Sequence, residues 1–248
     1  MAISTPSTYL AGRLDKLRKT QNPDGGWSFY AGKTASWVEP TVYAALALHG
    51  QPEADRAWAL IRGWQLTSGG WKPAADVPGA NWTTALGVIL GASRGGQNAA
   101  VSKGLEWLHN NGKDGAWSWR RGDLSAVEPT ALAVLALRKA GVEVPKAGRA
   151  ENFLLADKLS PETCGPALAG LHGSSQVRGL VPLAEQWAAE TTSPLTRAWI
   201  TIGLRVNGVE VGDPKEGAAL PRNLAIVALE ALAASDGNYR LFQMEVAA

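Results

Sequence analysis

Two glutamates stand in the same short setting, Val38-Glu39-Pro40-Thr41 and Val127-Glu128-Pro129-Thr130. A carboxyl so placed can act as a general acid, or as the polar anchor of an otherwise apolar ligand. It can also do plainer work. Proline suits the first turn of a helix, and a carboxylate there meets free N–H groups and the positive end of the helix dipole. Trp37, Trp82 and Trp119 stand ahead of Ala/Leu-rich runs, and Trp82 occupies in its own unit the place that Glu39 and Glu128 take in theirs. Their flat rings can hold a hydrocarbon chain or steady a cation, and they pack a core equally well. Asp76 and Asp123 lie in the loops leading to those runs, where they face either a cavity or solvent.

The elements that would position these residues repeat along the chain. Gln21 to Trp27 (QNPDGGW) and Gln65 to Trp71 (QLTSGGW) share the pattern Gln-x3-Gly-x-Trp, and Asn111 to Trp117 (NGKDGAW) matches it with Asn for Gln. After each comes an apolar segment opened by an equivalent threonine, Thr41, Thr84 or Thr130. These segments are strong helix formers and apolar nearly all round, which predicts helices buried on every side. The segments 57–64 and 100–110 mix charge with apolar residues at helical spacing, which predicts half-exposed helices. Each unit therefore reads as an amphipathic outer helix, a Gly/Trp loop and a buried inner helix. The second half keeps this rhythm without the loop motif. Inner helices are expected over 160–171, 193–204 and 221–232, with outer ones over 151–159 and 181–190. About six hairpins result, in one domain over residues 1–248. Stacked hairpins either form an open solenoid or close into a ring, and inner helices this apolar favour closure.

Composition removes several classes of function. With 24 basic against 22 acidic side chains, the sequence has no basic stripe of the kind that tracks a nucleic acid. Its single cysteine, Cys164, allows neither an internal disulfide nor a Cys-rich zinc site. The start, MAISTPSTYL, lacks the charged and apolar regions of a signal peptide, and no apolar run is long enough to span a bilayer. A cytoplasmic location is the expectation.

The Gln-x3-Gly-x-Trp loops resemble the QW motif of squalene–hopene and oxidosqualene cyclases, and the Glu-Pro-Thr helix starts resemble the prenyltransferase/squalene-oxidase repeat. The likeness is clear over residues 10–141 and is one of helical rhythm beyond 150. It implies an all-α fold, the α/α toroid of terpenoid cyclases and protein prenyltransferase β-subunits, around an apolar cavity lined by aromatics. In such cyclases an acidic D-x-D-D-T motif at the start of an inner helix protonates an alkene or epoxide through its middle Asp. Aligned on the threonine, Glu39 and Glu128 fall on the donor position, while Trp37 and Pro40 stand where the first unit would carry flanking acids. A lone glutamic acid of ordinary pKa, near 4.3, is a weaker donor than a carboxyl supported by neighbouring acids.

The resemblance implies a protein that binds an apolar, isoprenoid ligand in the toroid centre. Glu39 and Glu128 would serve as acids for cyclisation or isomerisation, with Trp37, Trp82, Trp119 and Asp76 around the substrate. No cofactor is required. No metal site is expected either: Asp157, Cys164 and His172 are the residue types of a prenyltransferase zinc site, but their spacing matches no zinc motif. Cys164-Gly165-Pro166-Ala167 is not the Cys-Gly-Glu-Gln of the thioester domains that share the toroid. Peripheral membrane contact or a protein partner is compatible with this reading. The alternative is a non-catalytic repeat module that binds a peptide, a glycan or a protein.

Overall fold

The computed structural model describes residues 7–95, 98–156, 159–212, 217–235 and 238–243, the Arg240 side chain aside. Among them eleven α-helices run in chain order: α1 (Thr8–Thr20), α2 (Val38–Ala47), α3 (Pro52–Gly63), α4 (Thr83–Ala92), α5 (Ala99–Asn111), α6 (Val127–Lys139), α7 (Ala147–Leu155), α8 (Pro161–Gly170), α9 (Val177–Glu190), α10 (Pro194–Val206) and α11 (Leu224–Ala234). A short 3₁₀ helix covers Asn238–Phe242. No strand forms among the described residues, only isolated bridges between loops. None of these helices is long and apolar enough to cross a membrane.

Six of the helices build a closed ring. α2, α4, α6, α8, α10 and α11 pack side by side in that order, and α11 returns to α2. This is the α/α toroid, and the open solenoid is excluded. Burial follows the sequence pattern: all of Val38–Ala47 except Glu39 is buried in α2, and α4, α8 and α11 are nearly as enclosed. Where α8 meets α10 the backbones almost touch. A Cβ added at Gly165 would stand 2.2 Å from the Trp199 carbonyl carbon, so only glycine admits this crossing.

The outer layer departs from the expected hairpin pairing. An outer helix packs chiefly behind the inner helix that precedes it: α3 behind α2, α5 behind α4, α7 behind α6, and α9 behind α8 and α10. α1 stands behind α11, so the first helix completes the last unit. The Arg13–Glu230 ion pair, 2.7 Å long and buried, fastens them. Six inner helices thus share five outer ones among the described residues. A cavity of about 530 Å³, lined by residues of α1, α9, α10 and α11, lies where the outer layer is thin.

The Gly/Trp loops are fasteners. The Trp27 indole N–H donates to the Leu17 carbonyl at the end of α1 (2.9 Å), and its backbone N–H donates to the Thr41 hydroxyl on α2 (2.8 Å). Trp71 bonds Ile61 and Thr84 in the same way, and Trp117 bonds Leu108 and Thr130. One residue thereby ties an outer helix end, whose last carbonyls have no helical partner, to the next inner helix. Gln21 reaches further. Its amide donates to the carbonyls of Gly25 and of Glu53, on α3, and Gln65 repeats this with Gly69 and Ala100. Asn111 bonds back within its own helix instead, and Asp114 makes the link forward by pairing with Lys146 and Arg149.

Candidate functional site at the mouth of the ring

The loops ahead of the inner helices meet at one end of the ring. Each caps a neighbour's helix: the Val38 N–H donates to the Pro73 carbonyl (2.8 Å), Leu224 to Phe29 (2.8 Å) and Trp82 to Trp119 (3.4 Å). Trp37, Trp82 and Ala126, at the starts of α2, α4 and α6, have no side-chain acceptor and make no side-chain cap bond. The backbone caps also hold three loops in fixed register over the ring.

Between those loops lies a cleft of about 740 Å³ whose lining includes Phe29, Trp37, Glu39, Trp82, Trp119 and Arg120. Trp82 and Trp119 meet edge to face with ring centroids 4.9 Å apart, and Phe29 tilts against Trp37 at 5.9 Å. The three tryptophans singled out from the sequence thus share one cleft with Glu39, though they come from three repeat units. Asp76 is exposed on the loop whose Pro73, Val77 and Pro78 line the cleft, and is not itself part of that lining. Asp123 is exposed beside a smaller neighbouring pocket.

Glu39 and Glu128 occupy the first turns of α2 and α6, on opposite sides of α4 in the ring order. Neither carboxyl has a hydrogen bond or ion pair with a described residue, so neither is a side-chain cap. Burial is the main cause that raises Glu39 to about 7, and the nearby Glu128 adds to it. Burial raises Glu128 to about 7 as well. One turn below Glu39, Tyr43 is wholly buried, and its hydroxyl has no hydrogen-bond partner. Burial holds that phenol well above its usual 10, and the charges of Glu39 and Glu128 push it the same way.

The centre of the ring below this point is filled. Tyr43 of α2 and Trp199 of α10 meet edge to face at 5.7 Å, past the intervening α11, and Phe242 packs on Trp199 at 5.6 Å. Phe242 comes from the 3₁₀ helix, which closes the far end: Asn238 donates to the Ala47 carbonyl and Gln243 to the Val206 carbonyl, at the ends of α2 and α10. The middle of the toroid, where the resemblance implied a ligand, is therefore filled, and the open space lies in the cleft at the mouth. Among the described residues no group of three or more potential metal ligands forms. Cys164 is buried in the core with its thiol pushed up to about 12 by burial, His172 contacts Asn207, and Asp157 lies outside the described residues.

Sequence reasoning missed several polar groups. Tyr43 had a usable signal, because a phenol one turn after Glu39 in an Ala/Leu run shares its face. Glu230, the one charge in α11, likewise pointed to a buried partner, which is Arg13. Arg13 also stacks on Tyr9, 3.2 Å from the ring centroid.

No family model matches this sequence, and no curated protein matches it either. Solved structures do. A variant of the type II terpene cyclase MstE from Scytonema, in complex with merosterolic acid A (its product), superposes with a TM-score of 0.57 at 16% identity, over 91% of this chain and 78% of that one. A protein from Actinoplanes gives a TM-score of 0.56 at 20% identity, over the same shares of each chain. At these identities the likeness is one of fold: the chain has the α/α toroid found in a type II terpene cyclase.

Proposed function

We propose that this protein binds an apolar, isoprenoid-type ligand in the cleft at the mouth of its ring, with Glu39 meeting the ligand's polar end. The observation that carries this reading is the convergence of Trp37, Trp82, Trp119 and Phe29 with Glu39 on one cleft of about 740 Å³. Sites for small apolar molecules have this make-up, hydrophobic walls with few polar groups. The product bound to the Scytonema cyclase supports an apolar small molecule as the ligand class.

The electrostatics limit the chemistry. An acid titrating at about 7 can pass a proton to an oxygen function, such as an epoxide or a carbonyl, at neutral pH. It is far too weak for a bare alkene. Any catalysis is thus proton transfer to oxygen, followed by isomerisation or ring closure, with Glu39 as donor. The filled axis below Tyr43 favours binding alone over cyclisation of a long chain inside the ring. The rim also exposes Tyr30, Trp119 and Leu124 close in sequence to Lys33, Arg120 and Arg121, a mixture suited to brushing a lipid surface from which such a ligand is drawn.

Farnesol titration followed by tryptophan fluorescence tests the reading. Trp82→Ala and Trp119→Ala each remove one wall and should weaken binding about tenfold or more, from the apolar area lost at roughly 25 cal/mol per Å². Leu183→Ala, on exposed α9 away from the cleft, should leave it unchanged. Equal affinity in all four proteins would exclude the cleft.

A further inference from the structure

The two carboxyls and the buried phenol have no use in a purely neutral site. Glu39 lines the cleft, and Glu128 approaches it closely enough to oppose its ionisation. No described cation pairs with either carboxyl: Arg120 lies on the cleft wall without an ion pair to them, and Arg13, whose partner is Glu230, belongs to the opposite side of α11. Tyr43 follows Glu39 by four residues on α2, which puts the two on one face of the helix. Its hydroxyl is enclosed, unpartnered and within electrostatic reach of both carboxyls. A buried hydroxyl left without a partner is costly to the fold. The unmet groups are therefore two carboxyls and a hydroxyl, and of these Glu39 stands on the cleft among tryptophan rings whose faces attract cations.

Resting on the cleft reading above, we infer that Glu39, with the uncompensated Glu128 and Tyr43 behind it, is the receptor for the ammonium group of an apolar amine whose hydrocarbon part lies in the tryptophan cleft. The ammonium donates N–H bonds to oxygens that receive none from the protein, and it brings the positive charge that the carboxyls lack. Proton bookkeeping follows. Below pH 7 a protonated glutamic acid must release its proton to the buffer as the ammonium arrives. The amine keeps its own proton, because alkylammonium groups titrate near 10, like lysine. No other bond forms or breaks. Glu128 from α6 and Tyr43 on α2 itself are the titratable groups that bear on Glu39, and Arg120 is the cation at the rim.

The test uses three ligands with one tail: farnesylamine, farnesol and farnesoic acid, titrated calorimetrically at pH 5 and pH 8. Farnesylamine should bind at least tenfold more tightly than farnesol at pH 8. Its affinity should fall about 100-fold by pH 5, tenfold for each unit below the titration of the carboxyls at about 7, with proton release seen as buffer-dependent heat. Farnesol should show little pH dependence. Glu39→Gln/Glu128→Gln should abolish the preference for the amine while farnesol still binds. Tyr43→Phe should reduce that preference several-fold without lowering the melting temperature, since it removes an orphaned group. Equal binding of amine and alcohol at pH 8, or tighter binding of the acid, overturns the receptor and leaves the cleft reading standing. Failure of all three ligands to bind overturns both.

Discussion

At the scale of the residue, burial turns ordinary side chains into unusual ones. Glu39 and Glu128 share their setting in the sequence, and a helix-start role was the plainest reading of both. The backbone carbonyls of neighbouring loops take that role at α2, so the carboxyl is left half-buried and uncompensated. The consequence for stability has a definite sign. Both groups titrate at about 7 when folded, above their ordinary value of 4.5. Between those values the folded chain holds protons that the unfolded chain has released, so this contribution is fully present below about pH 4.5 and lost as pH rises to about 7. Glu39→Gln and Glu128→Gln should therefore each be more stable than the parent at pH 8, by about 1–2 kcal/mol, after discounting 1.4 kcal/mol per pKa unit for partial solvent screening. The gain should vanish near pH 4. Urea unfolding at the two pH values measures it, and a variant less stable than the parent at pH 8 would show that the carboxylate holds the helix start.

At the scale of the element, the Gly/Trp loop is where sequence and geometry agree most closely. Its first glycine lies against the following outer helix. Gly69 has φ +92°, and a Cβ there would stand 2.3 Å from the Lys103 carbonyl oxygen; at Gly25 the nearest oxygen, that of Arg56, would be 2.9 Å away. Gly69→Ala should cost at least ~2 kcal/mol in chemical denaturation, and Gly25→Ala less, since a left-handed backbone strains any Cβ and the tighter contact adds a clash with main chain. Equal and small costs would mean that the loops pack loosely. The fasteners were legible because they use side chains at near-constant spacing: Trp27, Trp71 and Trp117 with Thr41, Thr84 and Thr130. The rim was not, because its contacts run from backbone to backbone between loops of differing sequence. Gathering of Trp37, Trp82 and Trp119 in one cleft follows from that rim, and the exposed position of Asp76 follows from it too.

At the scale of the whole molecule, periodicity announced a ring but not how it closes. Inner helices were recognisable by their unbroken apolar runs. The pairing of α1 with α11 depends on Arg13 and Glu230, 217 residues apart, which no local pattern relates. The closing 3₁₀ helix at Asn238–Phe242 was equally hidden, and it makes the difference between a hollow toroid and a cup open at one mouth. Arg13→Met should destabilise the ring by about 3–5 kcal/mol because Glu230 is left buried and unpaired, whereas Arg13→Met with Glu230→Met should recover most of the loss. A double variant as unstable as the single one would assign the cost to lost packing around Tyr9 and not to the stranded charge. The central claim concerns the open end of the cup, and a crystal structure grown with farnesol tests it most directly. The tail should lie against Trp37, Trp82 and Trp119 with its hydroxyl on the Glu39 carboxyl. Farnesol seated instead in the side cavity between α9, α10 and α11, with the tryptophan cleft empty, would contradict it.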